Sequence, residues 1–374
     1  ASGSKTEFVI MQENAQKNIY DAPEVNTDAI KCKGCGGNMV FDPSTQKLKC
    51  PYCNYTEDFG SDGTVEEIAI EDALKKNESW QSETSSFRCT NCGAKIHTDK
   101  SITATICPFC GTAHVVKEAD LEGIKPNAVI PFKLTVADII KNFKSWTKKK
   151  LFAPRKFKKT AATDKIKGVY MPLFTFDSQT ASVYEGRIGE YKTRTVRTKN
   201  GTRTETYTEW RHVSGTLSHF FDDIYINAGK RIDSKNVYNL LPFDYASVKA
   251  YDNAYLSGFY AHHYEKDIST CWKEAREEID KKIKDLIVSK YHCDCVDYLN
   301  VSTHHSNVTF KYILAPVYII NYSYKKKNYT IYCNGSTGKF TGKTPVSPLR
   351  VAIAVVLGIA VAVGLTFLFM YLNK

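Results

Sequence analysis

Eight of the twelve cysteines in this 374-residue chain fall into two matching sets. Cys32-Lys-Gly-Cys35 is followed by fourteen residues and then by Cys50-Pro-Tyr-Cys53, and Cys89-Thr-Asn-Cys92 is followed by fourteen and then by Cys107-Pro-Phe-Cys110. Each cysteine recurs at an offset of fifty-seven, as do Gly36 and Gly93 and the pairs Pro51-Tyr52 and Pro108-Phe109. A C-x-x-C pair grips one tetrahedral ion from a tight turn, and a second pair closes a four-thiolate shell with no open coordination position. The spacing predicts two structural Zn2+ sites, with Cys32, Cys35, Cys50 and Cys53 holding one ion and Cys89, Cys92, Cys107 and Cys110 the other. His97 and His114 lie near the second set, whose four thiolates are already complete.

The other reactive side chains make weaker patterns. His292, Cys293, Cys295, His304 and His305 would form a third metal site if a hairpin folded the histidines back onto Cys293 and Cys295. His262-His263, Cys271 and Cys333 have no oriented base or oxyanion donor in the sequence and read as packing residues. Gly338-Lys-Phe-Thr-Gly342-Lys343-Thr344 mimics a phosphate-binding loop, but it has three residues between the glycines where the motif needs four, and Pro345 follows instead of a helix. No catalytic or cofactor-binding residue emerges, so the expectation is a protein that is not an enzyme.

The elements that must position the cysteines follow from composition and periodicity. Charged residues are 24% and apolar residues 43%, an ordinary globular balance with a net charge of +11. Residues 1–29 are polar and predict a flexible tail. Residues 30–56 make the first zinc ribbon, with Asp42-Pro43-Ser44 as its turn. Residues 57–86 form an acidic linker in which Thr64-Val-Glu-Glu67 resembles a capping box opening a short helix through Lys76. Residues 87–120 make the second ribbon. Residues 121–346 predict a larger α+β domain of antiparallel sheet plus helix. In it, one helix is capped by Thr135 and Asp138, another runs from about Asp267 to Ser289, and a polar hairpin folds at Asn200-Gly201. Two segments suggest an internal duplication: Ile130-Pro131-Phe132 leading to Tyr170-Met-Pro172, and Leu241-Pro242-Phe243 leading to Leu314-Ala-Pro316.

Residues 347–374 differ in kind. Val351–Leu372 carries no charge over twenty-two residues, about 33 Å of helix, enough to cross the hydrocarbon core of a bilayer. Lys339, Lys343 and Arg350 precede it, which by the positive-inside rule predicts a single-pass, tail-anchored protein in the cell membrane, with the bulk of the chain facing the cytoplasm. Ala354, Gly358 and Ala362 recur at spacing four and would let two such helices approach, so self-association is a further expectation. Residues 141–159 form a basic run suited to anionic lipid or nucleic acid.

Taken together, the two C-x-x-C-Gly…Cys-Pro-aromatic-Cys units, Gly168-Val-Tyr-Met-Pro172, Leu256-Ser-Gly-Phe-Tyr260 and Asn334-Gly-Ser-Thr-Gly-Lys339 make the chain resemble a group of bacterial membrane proteins. These have tandem transcription-factor-IIB-type zinc ribbons and are sometimes labelled primosomal helicases. The resemblance implies a non-enzymatic adaptor or scaffold that recruits protein partners in envelope-stress systems, beside flotillin-like or phage-shock-like proteins. The helicase label has no support in the residues, because its phosphate loop is missing. The alternative is a membrane-associated nucleic-acid binder using the ribbons and the run 141–159.

Overall fold

The computed structural model describes residues 30–60, 63–73, 84–99, 106–111, 115–117, 124–154, 157, 166–198, 201–325 and 327–372. The expected tail at 1–29, His114, Asn200, the end of the predicted linker helix at Lys76 and part of the basic run lie outside them. In chain order the elements begin with β1 (Val40–Asp42), β2 (Lys47–Lys49), β3 (Thr56–Glu57), β4 (Ile68–Ala69), a one-turn α1 (Ile70–Ala73), β5 (Thr84–Cys89), β6 (Lys95–Asp99) and β7 (Val115–Lys117). There follow β8 (Ala128–Val129), α2 (Val136–Lys148), β9 (Ile166–Thr198), β10 (Gly201–Asn227), α3 (Ser234–Leu240), β11 (Lys249–Ala250) and β12 (Tyr260–His262). The chain ends with α4 (Ile268–Ser289), β13 (Cys295–Tyr324), β14 (Lys327–Asn334), β15 (Phe340–Gly342) and α5 (Pro348–Leu372).

β1, β2 and β3 make a small antiparallel sheet, and the remaining strands make one large sheet. That sheet is mixed rather than purely antiparallel, because β8 runs parallel to β13 and β12 runs parallel to β9. At its centre β9 and β13 pair antiparallel from Ile166↔Ile320 to Gly189↔Cys295. Side chains alternate across this pair. Tyr170, Phe174, Phe176, Phe310, Tyr312 and Tyr318 pack on the face that carries α2 and α4. Val169, Met171, Leu173, Ile313, Ala315 and Val317 pack on the face that carries α3. Burial on both faces explains why Gly168–Phe176 reads as an almost unbroken apolar run.

α2 forms where its cap predicts, and α4 where its apolar stripe does. The Thr135 hydroxyl accepts from the Asp138 amide at 3.3 Å and the Asp138 carboxylate accepts from the Thr135 amide at 3.0 Å, a reciprocal capping box. Asp267 caps α4 by accepting from the Thr270 amide at 2.7 Å. Below that cap, Ile268, Cys271, Ala275, Ile279, Ile283 and Ile287 recur every three or four residues and are all buried. Thr64–Glu67, by contrast, do not start the short linker helix, which begins at Ile70 as α1. The chain there is irregular and leads into β4, whose Ile68 and Ala69 pair with Phe310 and Thr309, so a strand edge outcompetes the local capping pattern.

The hydrogen bonds relate two halves by an approximate two-fold. In one, the Ala228 amide donates to Pro172 O, and the Glu265 and Lys266 amides donate to Ala228 O. In the other, the Gly335 amide donates to Pro316 O, and the Lys133 and Leu134 amides donate to Gly335 O. The register matches, since Asn227 pairs with Leu173 as Asn334 pairs with Val317. Thr135 and Asp267 cap the two helices six residues after Val129 and Ala261, which lie opposite Leu314 and Tyr170. The counterpart of Ile130-Pro131-Phe132 is therefore His262-His263-Tyr264. Leu241-Pro242-Phe243 sits elsewhere, under the turn after β14.

That turn is Asn334-Gly-Ser-Thr-Gly-Lys339. The buried Asn334 side chain donates to Leu240 O (3.0 Å) and Pro242 O (3.1 Å) and accepts from the amides of Ser336 (2.9 Å) and Thr337 (3.0 Å). A Cβ on Gly335 would fall 2.4 Å from the Phe132 ring, so only glycine fits. Asn334→Ala leaves two buried carbonyls and two amides without partners. It is expected to destabilise the full chain by about 3 kcal/mol in urea unfolding followed by near-ultraviolet circular dichroism.

Candidate metal centres

Each C-x-x-C turn is built the same way. The Gly36 amide donates to Cys32 O and the Gly93 amide to Cys89 O, and both glycines hold φ near +70°, where a side chain would be strained. Asn54 and Gly111 make the equivalent turns after the second cysteine pairs, bonding to Cys50 O and Cys107 O with φ of 60° and 73°. These turns aim the thiols of each set inward.

In the first set Cys32 Sγ lies 3.5 Å from Cys53 Sγ and Cys35 Sγ lies 3.4 Å from Cys50 Sγ. In the second, Cys89–Cys110 and Cys92–Cys107 are both 3.7 Å apart. Within each set all four sulfurs lie within 4.8 Å of one another. A tetrahedral ion with metal–sulfur bonds of about 2.3 Å needs sulfurs about 3.8 Å apart, so both shells fit a divalent metal and neither is a pair of disulfides. Crowding alone would split the ionisation of these thiols. Burial and neighbouring sulfurs push Cys92 up to about 11, whereas amide donors from Cys53 and Tyr52 outweigh burial at Cys50 and bring it to about 7. A bound cation removes this penalty by holding all four as thiolates.

The two units are seated differently. The first packs Phe41 edge-on against Phe59 and Tyr255 and donates from Gln46 Nε2 to Phe132 O, leaving Cys35, Cys53 and Tyr52 exposed. The second is part of the large sheet, since β6 pairs with β12 and β5 pairs with β6 and β7. Its Phe109 ring lies against the buried His262 at 4.8 Å, and Arg231 donates to Cys92 O. His97 is no ligand. It is buried in the seam, with Nε2 2.9 Å from His263 Nδ1 and Nδ1 3.2 Å from Ser86 Oγ.

The structure does not assemble the His292/Cys293/Cys295/His304/His305 group. β13 is one continuous strand, so Cys295 pairs opposite Gly189 while His304 pairs opposite Ala181, roughly 30 Å along the strand. His305 is instead held by Ser178 Oγ at 3.2 Å and by the edge of Trp272. Cys271 and Cys333 are buried in packing positions.

Sequence reading missed a third cluster, formed by Asp177, Asp222 and Asp223. Its positive charge comes from the protein itself, because Lys311 Nζ lies 2.9 Å from Asp223, 3.1 Å from Glu67 and 3.6 Å from Asp177. No sequence spacing signals it, because strand register and the bulge at Phe221/Ile224 bring these residues together. Burial opposes charging Lys311, but the Asp223 carboxylate more than offsets it and holds the ammonium protonated. Burial also pushes Asp177 up to about 6, against the pull of the Asp223 amide and of Lys311. A carboxyl raised in this way stabilises the fold when protonated, and that contribution is lost as pH rises through about 6. Lys311→Met is expected to cost about 3–5 kcal/mol at pH 8, with the gap to the parent narrowing as pH falls below 6 and Asp177 takes up its proton. Urea unfolding at a series of pH values checks it.

The different seating of the two cysteine units predicts different responses to losing a ligand. Cys35→Ser is expected to remove one metal equivalent per chain and leave the unfolding temperature close to the parent's. Cys89→Ser is expected to remove one equivalent and lower that temperature markedly, because β5, β6 and β12 lose their anchor. Metal analysis and thermal unfolding of the full chain in detergent read both.

No protein-family model matches the chain, and no solved structure matches it. Among curated proteins it is 30% identical over 334 residues to the Bacillus subtilis (strain 168) protein described as "Uncharacterized protein YdjG", a match covering 87% of this chain and 92% of that one. The chain belongs to the same family as YdjG.

Proposed function

We propose that the protein is a membrane-tethered zinc-ribbon adaptor whose first ribbon docks a partner protein. The observation that carries this reading is the asymmetry of the two cysteine units. One is absorbed into the sheet through β6 and β12, while the other keeps its metal-side surface open, with Tyr52 69% exposed. Four thiolates with no open position suit Zn2+ in a structural role, which leaves the outer surface of the first ribbon for recognition. α5 supplies the tether, as Val351–Leu372 carries no charge and its described side chains are exposed. The positive-inside residues before it favour an orientation with the bulk of the chain in the cytoplasm. The resemblance to envelope-stress proteins suggests flotillin-like or phage-shock-like partners, and the open flank of Gly358 suits self-association within the membrane.

The nucleic-acid alternative is less well served, because Phe109, one of the two rings suited to base stacking, is packed against His262. A photoreactive side chain in place of Tyr52, in the full chain expressed in its native membrane, tests the reading. It is expected to crosslink one discrete protein. The same reporter at Tyr191 on the β9–β10 hairpin is expected not to crosslink that protein, and Cys35→Ser is expected to abolish the crosslink. No protein adduct, together with tight single-strand binding that weakens steeply with log salt, would favour the nucleic-acid binder instead.

A further inference from the structure

The loop after α2 is fastened to the start of α5. The Ser347 amide donates to Phe152 O at 2.8 Å, and Arg350 Nη1 donates to Leu151 O at 2.9 Å and Ala153 O at 2.8 Å. These bonds fix residues 151–153 at the level of the first turn of α5, where the apolar segment begins. At that level four apolar side chains face outward: Leu151 (73% exposed), Phe152 (44%), Val346 (60%) and Leu349 (70%). Just before them stand Lys148, Lys149 and Lys150, with Lys150 Nζ 4.7 Å above the Trp146 ring.

Exposed Leu-Phe beside a lysine run is poorly suited to water. It suits the headgroup boundary of a bilayer, where apolar tips enter the acyl region and ammonium groups stay with phosphates. We propose that Leu151, Phe152 and Lys148–Lys150 form a second membrane contact that enters the interface of an anionic phospholipid bilayer next to α5. The large sheet is then docked on the membrane through this loop as well as hung from a helix. Continuity with α5 and the charge of the run both select lipid as the occupant, at the height where a surface potential acts within a Debye length. The inference rests on α5 crossing the membrane.

The test uses the full chain reconstituted in vesicles of phosphatidylcholine alone or mixed with phosphatidylglycerol. Phe152→Trp reports the loop and Leu365→Trp reports the middle of α5, each read as emission added to the parent's four tryptophans. Both side chains are exposed, and Phe152 bonds to α5 only through its backbone carbonyl, so the fold should tolerate either change. In anionic vesicles the tryptophan at 152 is expected to emit at shorter wavelength and to be quenched by lipid brominated high on the acyl chain. The quenching is expected to weaken in neutral vesicles and on exchanging Lys148, Lys149 and Lys150 for Glu. If the reporter at 365 is quenched while that at 152 emits as in water, the loop contact is overturned and the spanning helix stands. If neither is quenched, both fall. Equal quenching at 152 in neutral and anionic lipid overturns the role of the lysines.

Discussion

The antiparallel pairing of β9 with β13 is the constraint on which the rest of the structure depends. The register places Met171 opposite Ala315, with Pro172 and Tyr170 opposite Leu314 and Pro316 on either side. From that point each strand recruits a short parallel neighbour, a capped helix and a returning strand, and each return ends in a buried asparagine, Asn227 or Asn334. Each asparagine accepts from the amide two residues on, Gly229 or Ser336, and so turns the chain while satisfying backbone groups that burial would otherwise leave unpaired. The segment after each turn then offers its carbonyl, Ala228 O or Gly335 O, to the residues just before a helix cap. A one-residue slip between β9 and β13 would break these bonds and turn the apolar rows Tyr170–Phe176 and Val169–Leu173 onto the wrong faces.

The two cysteine units show how one local motif can be put to two uses. Their turns are the same down to the left-handed residue after each pair, so the metal shell is a local property of the sequence. What surrounds it is not. β12 offers an edge to β6, and the second unit becomes sheet, with Cys89 and Cys107 fully buried beside Ala94 and Ile96. The first unit meets the body mainly through aromatic rings around Phe41 and keeps its knuckles in solvent.

What the sequence made legible follows the same division between local and long-range information. The ligand sets, the Thr135 cap, the stripe of α4 and the apolar terminal helix are all set within a few turns of chain, and the residues announce them. The length of β9, β10 and β13 is not announced. β13 reads as two strands because the bulge between Ser306 and Thr309, with Asn307 at φ 51°, carries the residues of a turn. That misreading folded His304 and His305 back toward Cys293 and Cys295. His262-His263-Tyr264 was equally hidden as the counterpart of Ile130-Pro131-Phe132, because the two share a backbone role and, in side chains, only the aromatic ring of Phe132 or Tyr264. Lys311 among its carboxylates is visible only once strand register is known.

The two-fold frame also sets where the differences between the halves point. Because β9 and β13 run antiparallel, the ends of α2 and α4 lie at opposite ends of the pair. Phe157, after α2, packs its ring on Tyr322 near the end of β13. Tyr291, after α4, shares a hydrogen bond with Tyr184 at the base of the β9–β10 hairpin. Tyr322 and Val301, the residue opposite Tyr184, are separated along β13 by at most about 70 Å at about 3.3 Å per residue. Beyond Gly189 the hairpin continues through Glu190–Thr198 as a two-stranded ribbon, about another 30 Å. The loop bonded to α5 therefore stands at one end of the long axis and the hairpin tip at the other. Helix length reinforces this polarity: α4 runs 22 residues and supports the hairpin, whereas α2 stops after 13 and gives way to the loop that meets α5. The two matching halves thus differ most at their helix ends, one meeting α5 and the other supporting the hairpin.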